Sequence, residues 1–200
     1  KILVYILVLE ARLIVKKYKP YVIAVTGSVG KTSTKDAIYD VLKTKIAHIR
    51  KSEKSLNSEI GLPLTIIGVR NAWYSPTGWL KNIYAGFVLI ILRKEYPECL
   101  VLEIGADHPR DIEKITKWLK TDISVITKIS ETPVHVEFFN SPKDVFEEKA
   151  HLATALKSGG YLIVYGDEKN TLSLGDRVKD KNVSVISFGV TGSSDIKACM

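Results

Sequence analysis

The chain has 200 residues, of which 46% are hydrophobic and 26% are charged, a composition typical of a globular protein with a buried core. Its net charge is +7, but the basic residues are dispersed, and the densest short cluster is Lys16, Lys17 and Lys19. A single cluster of this size argues against a nucleic-acid partner, and phosphate or carboxylate substrates explain a basic balance equally well. Cys99 and Cys199 match no metal-ligand spacing and no disulfide framework, which fits a reducing cytoplasm.

The beginning of the chain predicts a helical segment, residues 1–20, in front of a main domain at 21–200. The apolar stretch 2–15 is interrupted by Glu10 and Arg12. It is too short and too charged to span a membrane, and it lacks the small-residue cleavage site of a signal peptide. We expect a helix that packs its apolar face on the domain. The alternative is a helix that lies on a membrane surface, because a lysine cluster follows directly.

After this segment, strands are predicted to alternate with helices. Short apolar runs predict strands at 21–26, 46–50, 100–104, 123–127, 161–165 and 183–188. Helical spacing predicts helices from Lys31 onward and at 59–69, 79–92, 109–119 and 141–156, with Pro109 in a first turn and Ser141 as an N-cap. This alternation predicts an α/β fold with a mostly parallel sheet and helices on both faces.

A glycine-bearing loop joins the first strand to the next helix and is the strongest motif. Its glycines let the backbone turn tightly and aim N–H groups inward, and the helix N-terminus adds a positive dipole end. Lys31 supplies a charge for terminal phosphates, and the Thr32 hydroxyl can bind Mg²⁺. Val25 stands where the strict motif has its first glycine, so the loop is a shortened P-loop. The predicted ATP-binding residues are Thr26, Gly27, Ser28, Val29, Gly30, Lys31, Thr32 and Ser33.

An acidic residue ends the buried run at 100–104. In open α/β sheets this end of a strand faces the ligand crevice, and a carboxylate after Leu-Val-Leu is costly unless it holds a cation. We therefore predict Glu103 as a Mg²⁺ ligand. The alternative is a carboxylate that caps the following helix.

Five segments in order resemble motifs of the Mur ligase family. They are TGSVGKTST in the loop, SLNSEIGLP at 55–63, LEIGADH at 102–108, TKISETPVHVEFFNS at 127–141 and EKA at 148–150. The resemblance covers about residues 21–168 and is greatest for the branch that adds D-alanyl-D-alanine to a muramyl tripeptide. It implies the P-loop-containing central domain of such an enzyme.

The resemblance also implies roles for single residues. It makes His135 a second Mg²⁺ ligand and Lys149 a lysine whose carbamylated end helps to hold the metal, so that Lys31, Glu103, His135 and Lys149 form the catalytic set. It places Asn57 near the γ-phosphate or the acceptor carboxylate and Asp167 near the nucleotide base. His108, with Asp107, is expected either to contact the nucleotide or to cap the helix after Pro109.

The implied reaction is ATP-dependent amide-bond formation in the synthesis of a peptidoglycan precursor. A substrate carboxylate takes the γ-phosphoryl group to give an acyl phosphate, and an amine then displaces phosphate. The implied partners are a muramyl peptide, an amino acid or dipeptide amine, and flanking domains of the same protein, which 200 residues cannot hold. Two alternatives remain: another family branch such as the folylpolyglutamate synthases, and a P-loop nucleotide-binding module without ligase chemistry.

The segment 73–92 has no counterpart in those motifs. It is strongly apolar and contains Trp73, Trp79, Tyr84 and Phe87. A core helix or a docking face for a missing domain is favoured over a membrane-surface patch.

Overall fold

One parallel sheet forms the centre of the molecule. The computed structural model describes residues 2–53, 56–129, 138–139, 141–191 and 194–198. Its strands are β1 Tyr21–Thr26, β2 Ile49–Lys51, β3 Cys99–Glu103, β4 Thr121–Ile126, β5 Leu156–Tyr165, β6 Ser184–Gly189 and β7 Ile196–Lys197. They lie in the order β2-β3-β1-β4-β5-β6-β7, and every neighbouring pair is parallel. The predicted α/β class with a parallel sheet is confirmed.

Helices cover both faces of this sheet. They are α1 Ile2–Tyr18, α2 Lys31–Leu42, α3 Gly61–Ile67, α4 Pro76–Ile91, α5 Asp111–Trp118, α6 Pro142–Thr154 and α7 Lys169–Leu172, followed by a 3-10 helix at Ser173–Lys181. Strand β1 shows why two layers form. Val22 and Ala24 face one hydrophobic cluster with α1, α3 and α5, whereas Ile23 and Val25 face another that includes residues of α2. Alternate side chains of a buried strand point to opposite faces, so both faces need a helical cover.

Most predicted elements are confirmed, and the observed ends of these elements show which capping and boundary residues were predicted correctly. Strand β1 has the predicted bounds, and Ser141 caps α6 by accepting a hydrogen bond from the Asp144 amide at 3.2 Å. Helix α5 begins at Asp111, so the prediction that Pro109 opens it is wrong. Strand β5 begins earlier than predicted, and β7 and the 3-10 helix were not predicted.

Helices α1 and α4 form an outer layer. Leu7, Ala11 and Ile14 of α1 are buried in the first cluster, which confirms the packed helix expected at the beginning of the chain. Helix α4 begins where Ser75 accepts a hydrogen bond from the Gly78 amide, and only Asn82 and Gly86 of this helix are buried. One face of α4 nevertheless packs on the first cluster through partly buried residues such as Ile83 and Leu89, as expected of a core helix, whereas its opposite face is exposed. In the described part of the chain, no helix has the length and apolar character needed to cross a membrane.

Candidate nucleotide site

The glycine loop lies at the carboxyl end of β1, as the sequence predicted. Ser28 and Val29 donate their amides to the Lys128 carbonyl at 2.8 and 3.3 Å, and the Thr127 hydroxyl donates to the Val29 carbonyl at 2.7 Å. Gly27 has a φ of 149°, and a side chain there would collide with Thr127. The end of β4 thus holds the loop in place, and the close approach of the two strands requires glycine at position 27.

The beginning of α2 is open to an anion. Gly30, at the N-cap, has a φ of 84° and supplies no side-chain hydrogen bond. The first amides of a helix have no intrahelical acceptor, and together with the helix dipole they attract negative charge. Among the described residues, the buried hydroxyl oxygens of Thr26 and Ser28 have no hydrogen-bond partner. These unsatisfied groups fit a polar ligand at this loop.

Glu103 lies at the end of β3, next to the loop, and is only 5% exposed. Its Oε2 accepts a hydrogen bond from Thr32 Oγ1 at 2.9 Å, and its Oε1 accepts one from Asn57 Nδ2 at 3.3 Å. The structure therefore brings together three residues that the sequence assigned to the site. The alternative in which Glu103 caps the following helix is wrong, because other carboxylates bind the amides there.

A cavity of about 100 Å³ opens beside these residues. Lys31 and Lys149 both line it, and so do Asn57 and Asp107. Lys149 is buried on α6, and both its burial and the nearby Lys31 ammonium lower its pKa to about 8. The buried Lys149 and the partly exposed Lys31 thus line the same small cavity, and Lys31 is the first residue of α2. The Lys31 charge suits a polyphosphate.

The N-terminus of α5 is capped by side chains other than the predicted ones. Asp111 accepts hydrogen bonds from the Asp107 and His108 amides. Glu148 accepts one from the amide of the N-cap residue Arg110 and two from the first amides of α5. The prediction that the side chains of Asp107 or His108 cap this helix is therefore wrong. His108 instead packs its ring on Phe138, with centroids 4.4 Å apart.

Of the predicted site residues that the structure describes, Asp167 lies apart from this cluster. Asp167 lies at the end of β5, where its carboxylate accepts hydrogen bonds from the Val190 amide at 2.8 Å and the Thr191 amide at 3.2 Å. It does not line the cavity that contains Lys31. His135 lies outside the described residues. Within the described ranges, no three His, Cys, Asp or Glu side chains come together as a metal-binding group.

One residue that sequence reasoning missed is Lys35. It is 1% exposed, and its ammonium donates to the Ser52 carbonyl at 2.9 Å and lies 3.7 Å from Glu103 Oε2. It thus balances a carboxylate that is buried with it. The available signal was its spacing, because position 35 falls one turn after Lys31, on the helix that the loop opens.

Comparison with known proteins identifies the family to which this arrangement corresponds. A family model described as the Mur ligase middle domain matches residues 25–76 and 81–199. The UDP-N-acetylmuramoyl-tripeptide–D-alanyl-D-alanine ligase of Bacillus subtilis (strain 168) is 33% identical over 147 residues, which are 74% of this chain and 26% of that protein. The chain spans between a quarter and a third of the length of the first curated relatives that it matches.

Solved structures agree with this assignment. The MurF ligase of Thermotoga maritima, solved in complex with ADP, is similar with a TM-score of 0.70 and 28% identity, over 94% of this chain and 37% of that one. A folylpolyglutamate synthase of Mycobacterium tuberculosis, complexed with ADP and AMPPCP, has a TM-score of 0.56 at 15% identity, over 92% of this chain and 48% of that one. The second likeness concerns the fold alone.

Proposed function

The chain belongs to the Mur ligase middle-domain family, and on that premise we propose that it is the ATP-binding domain of an ATP-dependent peptide ligase. The proposed enzyme joins a carboxylate of a peptidoglycan precursor to an amine and releases ADP and phosphate. The single observation that carries the proposal is the convergence at one strand edge of the glycine loop, the Thr32–Glu103 pair and the Lys31–Lys149 cavity. The similarity to D-alanyl-D-alanine-adding ligases favours that branch.

We propose that Mg²⁺ is held by Thr32 and Glu103. Hard oxygen atoms are the ligands that Mg²⁺ prefers, and adjacent ligands of an octahedral ion at 2.0–2.1 Å are about 2.9 Å apart. The Thr32 and Glu103 oxygens have this separation. When bound, the ion would neutralise charge on the β- and γ-phosphates. Asn57, which binds Oε1, and Lys35, whose ammonium lies 3.7 Å from Oε2, would orient the Glu103 carboxylate. His135 remains the proposed second ligand of the metal.

The chain's own residues supply positioning and charge. The loop amides and Lys31 would hold the phosphates, which leaves the γ-phosphorus open to an incoming carboxylate. Phosphoryl transfer depends mainly on such positioning and on the stabilisation of charge. Asn57 lines the cavity and has an amide that can donate to a carboxylate or phosphate oxygen. His108 and Asp167 do not line this cavity, and they remain proposed contacts of the nucleotide.

We propose that Lys149 is carbamylated. Only a neutral amine reacts with CO₂, which it converts into a carbamate with release of a proton. Burial has already shifted the pKa of Lys149 towards neutrality, and a lysine with this pKa is far more often neutral at pH 7 than an exposed one. The new carboxylate would replace one of two cations in the cavity with an anion. That exchange suits a site that must hold a metal close to Lys31.

The proposed partners are small molecules and other domains of the same protein. The muramyl peptide and the amine would be bound mainly by flanking domains, because the chain spans only part of its relatives. A nucleic-acid partner is not part of the proposal. A cytoplasmic location follows from the need for ATP, and contact with a membrane surface would involve a different face of the chain.

The test is phosphate release by the full-length protein with ATP, Mg²⁺, UDP-N-acetylmuramoyl-tripeptide and D-alanyl-D-alanine. We expect release that requires both substrates and stops when Mg²⁺ is removed. Release with a folate and glutamate instead would assign the other branch. Binding of ATP without release in either mixture would mean a nucleotide-binding module without ligase chemistry. Substitution of Lys149 by Gln should abolish the ¹³C signal acquired from labelled CO₂, with Lys120→Gln as a control.

A further inference from the structure

An apolar surface covers the outside of the α1–α4 layer. On α4, Leu80, Tyr84, Phe87 and Ile91 are all more than half exposed and recur at helical spacing. This stripe is about 16 Å long at 1.5 Å per residue. On α1, the exposed side chains Ile2, Tyr5, Leu9 and Leu13 recur in the same way. Monomeric proteins rarely expose contiguous apolar patches of more than a few hundred Å² without a function.

The two stripes belong to one layer, because α1 and α4 run in the same direction. Glu10 lies against Gly86, and further along α1 the Lys17 ammonium donates to the carbonyls of Leu89, Ile90 and Leu92 at 2.6–2.9 Å. The contacts therefore advance together along both helices. We name the exposed stripes of α1 and α4 together the outer face.

Basic side chains surround and interrupt the outer face. The carboxyl ends of the two helices lie together, which groups Lys16 and Lys19 with Arg93 and Lys94, all of them exposed. Within the stripes, the exposed Arg12 follows Leu9, and the exposed Lys81 adjoins Leu80. The acidic residues on these helices and in the segment that follows α4 are Glu10, which is buried, and the exposed Glu95 and Glu98.

Aromatic residues lie at the opposite end of the layer. Trp73 is 72% exposed and Tyr74 is 98% exposed, just before α4 begins. The Trp79 indole donates to the Trp73 carbonyl at 2.9 Å and holds this turn against the helix. Trp and Tyr are enriched where a membrane meets water, because each ring has an apolar body and a polar edge.

We propose that the outer face binds the surface of an anionic lipid bilayer, with α1 and α4 lying in the plane of the headgroups. The apolar stripes would enter the boundary between headgroups and acyl chains, as amphipathic helices do. The long stems of Arg12, Lys16 and Lys81 let their charges reach lipid phosphates from the edge of an apolar surface. A protein partner fits less well, since the centres of protein interfaces are depleted in lysine.

The position of this surface leaves the nucleotide site accessible. The site lies at the carboxyl ends of β1 and β3, whereas α4 packs on α1 and α3 and forms a layer outside them. The inference is independent of the ligase chemistry, and its failure would leave the proposed reaction untouched.

The test is co-sedimentation of the full-length protein with vesicles. One set contains phosphatidylcholine alone, and in the other part of it is replaced by phosphatidylglycerol. We expect binding to the anionic vesicles that weakens as salt is added. The double variant Tyr84→Glu/Phe87→Glu should lose at least about tenfold in binding and retain phosphate release. Val41→Glu, at an exposed apolar position on α2, is the matched control.

A second pair of variants tests the basic residues. Lys16→Glu/Arg93→Glu should weaken binding to anionic vesicles by at least about tenfold, because each basic residue near such a surface strengthens binding about fivefold. Lys45→Glu/Lys114→Glu is the control. The proposal is overturned if the wild-type protein does not sediment with anionic vesicles or if Tyr84→Glu/Phe87→Glu sediments as well as wild type. It is equally overturned if light scattering shows a dimer that forms through this face in place of vesicle binding.

Discussion

Glu103 and Glu10 are both almost fully buried, at 5% and 7% exposure, but their surroundings differ. Glu103 receives hydrogen bonds from Thr32 and Asn57 and lies near the Lys35 ammonium. Glu10 lies against Gly86 of α4, and its Oε2 has no partner among the described residues. Burial raises the pKa of Glu10 to about 7. Burial favours the neutral form of a carboxylate that lacks partners for its charge, which is the situation of Glu10.

The largest expected effect concerns the glycine loop beside Glu103, where the phosphates would bind. Lys31→Ala removes the charge at the loop and should weaken ATP binding at least about 100-fold, because a hydrogen bond from a charged group contributes about 3 kcal/mol. Calorimetric titration of the full-length protein measures this. Lys45→Ala, at an exposed position after α2, is the control. Binding of ATP by Lys31→Ala at wild-type affinity would remove the loop from the site.

Glu10 should make the free energy of unfolding depend on pH. Its pKa is raised in the fold from 4.5, so between about pH 4.5 and 7 the folded chain keeps a proton that the unfolded chain has released. Stability therefore falls as the pH rises through this window. Glu10→Gln has no such proton and should be more stable than wild type by about 2 kcal/mol at pH 8.

Urea unfolding at pH 4 and pH 8 measures this difference. The stability gain should be absent at pH 4, where the wild-type side chain is neutral as well. Glu95→Gln, an exposed carboxylate in the segment after α4, should show no comparable change between the two pH values. A gain of the same size at both pH values would attribute the effect to packing and not to the proton.

Substitution of Glu103, the carboxylate with partners, should change ligand affinity. Glu103→Gln keeps the size of the side chain and loses the charge, so Mg²⁺-dependent ATP affinity should fall about tenfold, or about 1.4 kcal/mol. ATP affinity without Mg²⁺ should change little, and isothermal titration with and without the ion separates the two. Glu53→Gln, an exposed residue after β2, is the control. Equal losses with and without Mg²⁺ would argue against a metal at Glu103.

The smallest effect concerns the end of α4. Lys17→Met removes the ammonium that binds the last carbonyls of this helix and should lower stability by about 0.5–1 kcal/mol. ATP affinity should not change, because α4 is remote from the loop. Lys16→Met, whose side chain is the exposed neighbour, should leave the unfolding midpoint unchanged. Equal shifts in both variants would assign the effect to net charge alone.

The sequence by itself determined those structural features that depend only on residues adjacent in the chain. The glycine loop was recognisable because a buried strand, two glycines and a helix follow one another, and this local order defines an open helix N-terminus. The position of Glu103 beside the loop was predictable because the carboxyl ends of parallel strands meet at one edge of the sheet. Ser141 was predicted as an N-cap from its position before α6.

Only the tertiary structure decided which distant groups share a surface. Lys35 meets Ser52 and Glu103 because α2, β2 and β3 are brought together by the strand order. Glu148 caps α5 from α6, a role for which its own segment carries no signal. The outer face exists because α1 and α4 pair in parallel, which depends on packing between helices far apart in the chain. Local patterns specify elements, whereas partners distant in sequence are chosen by how those elements pack.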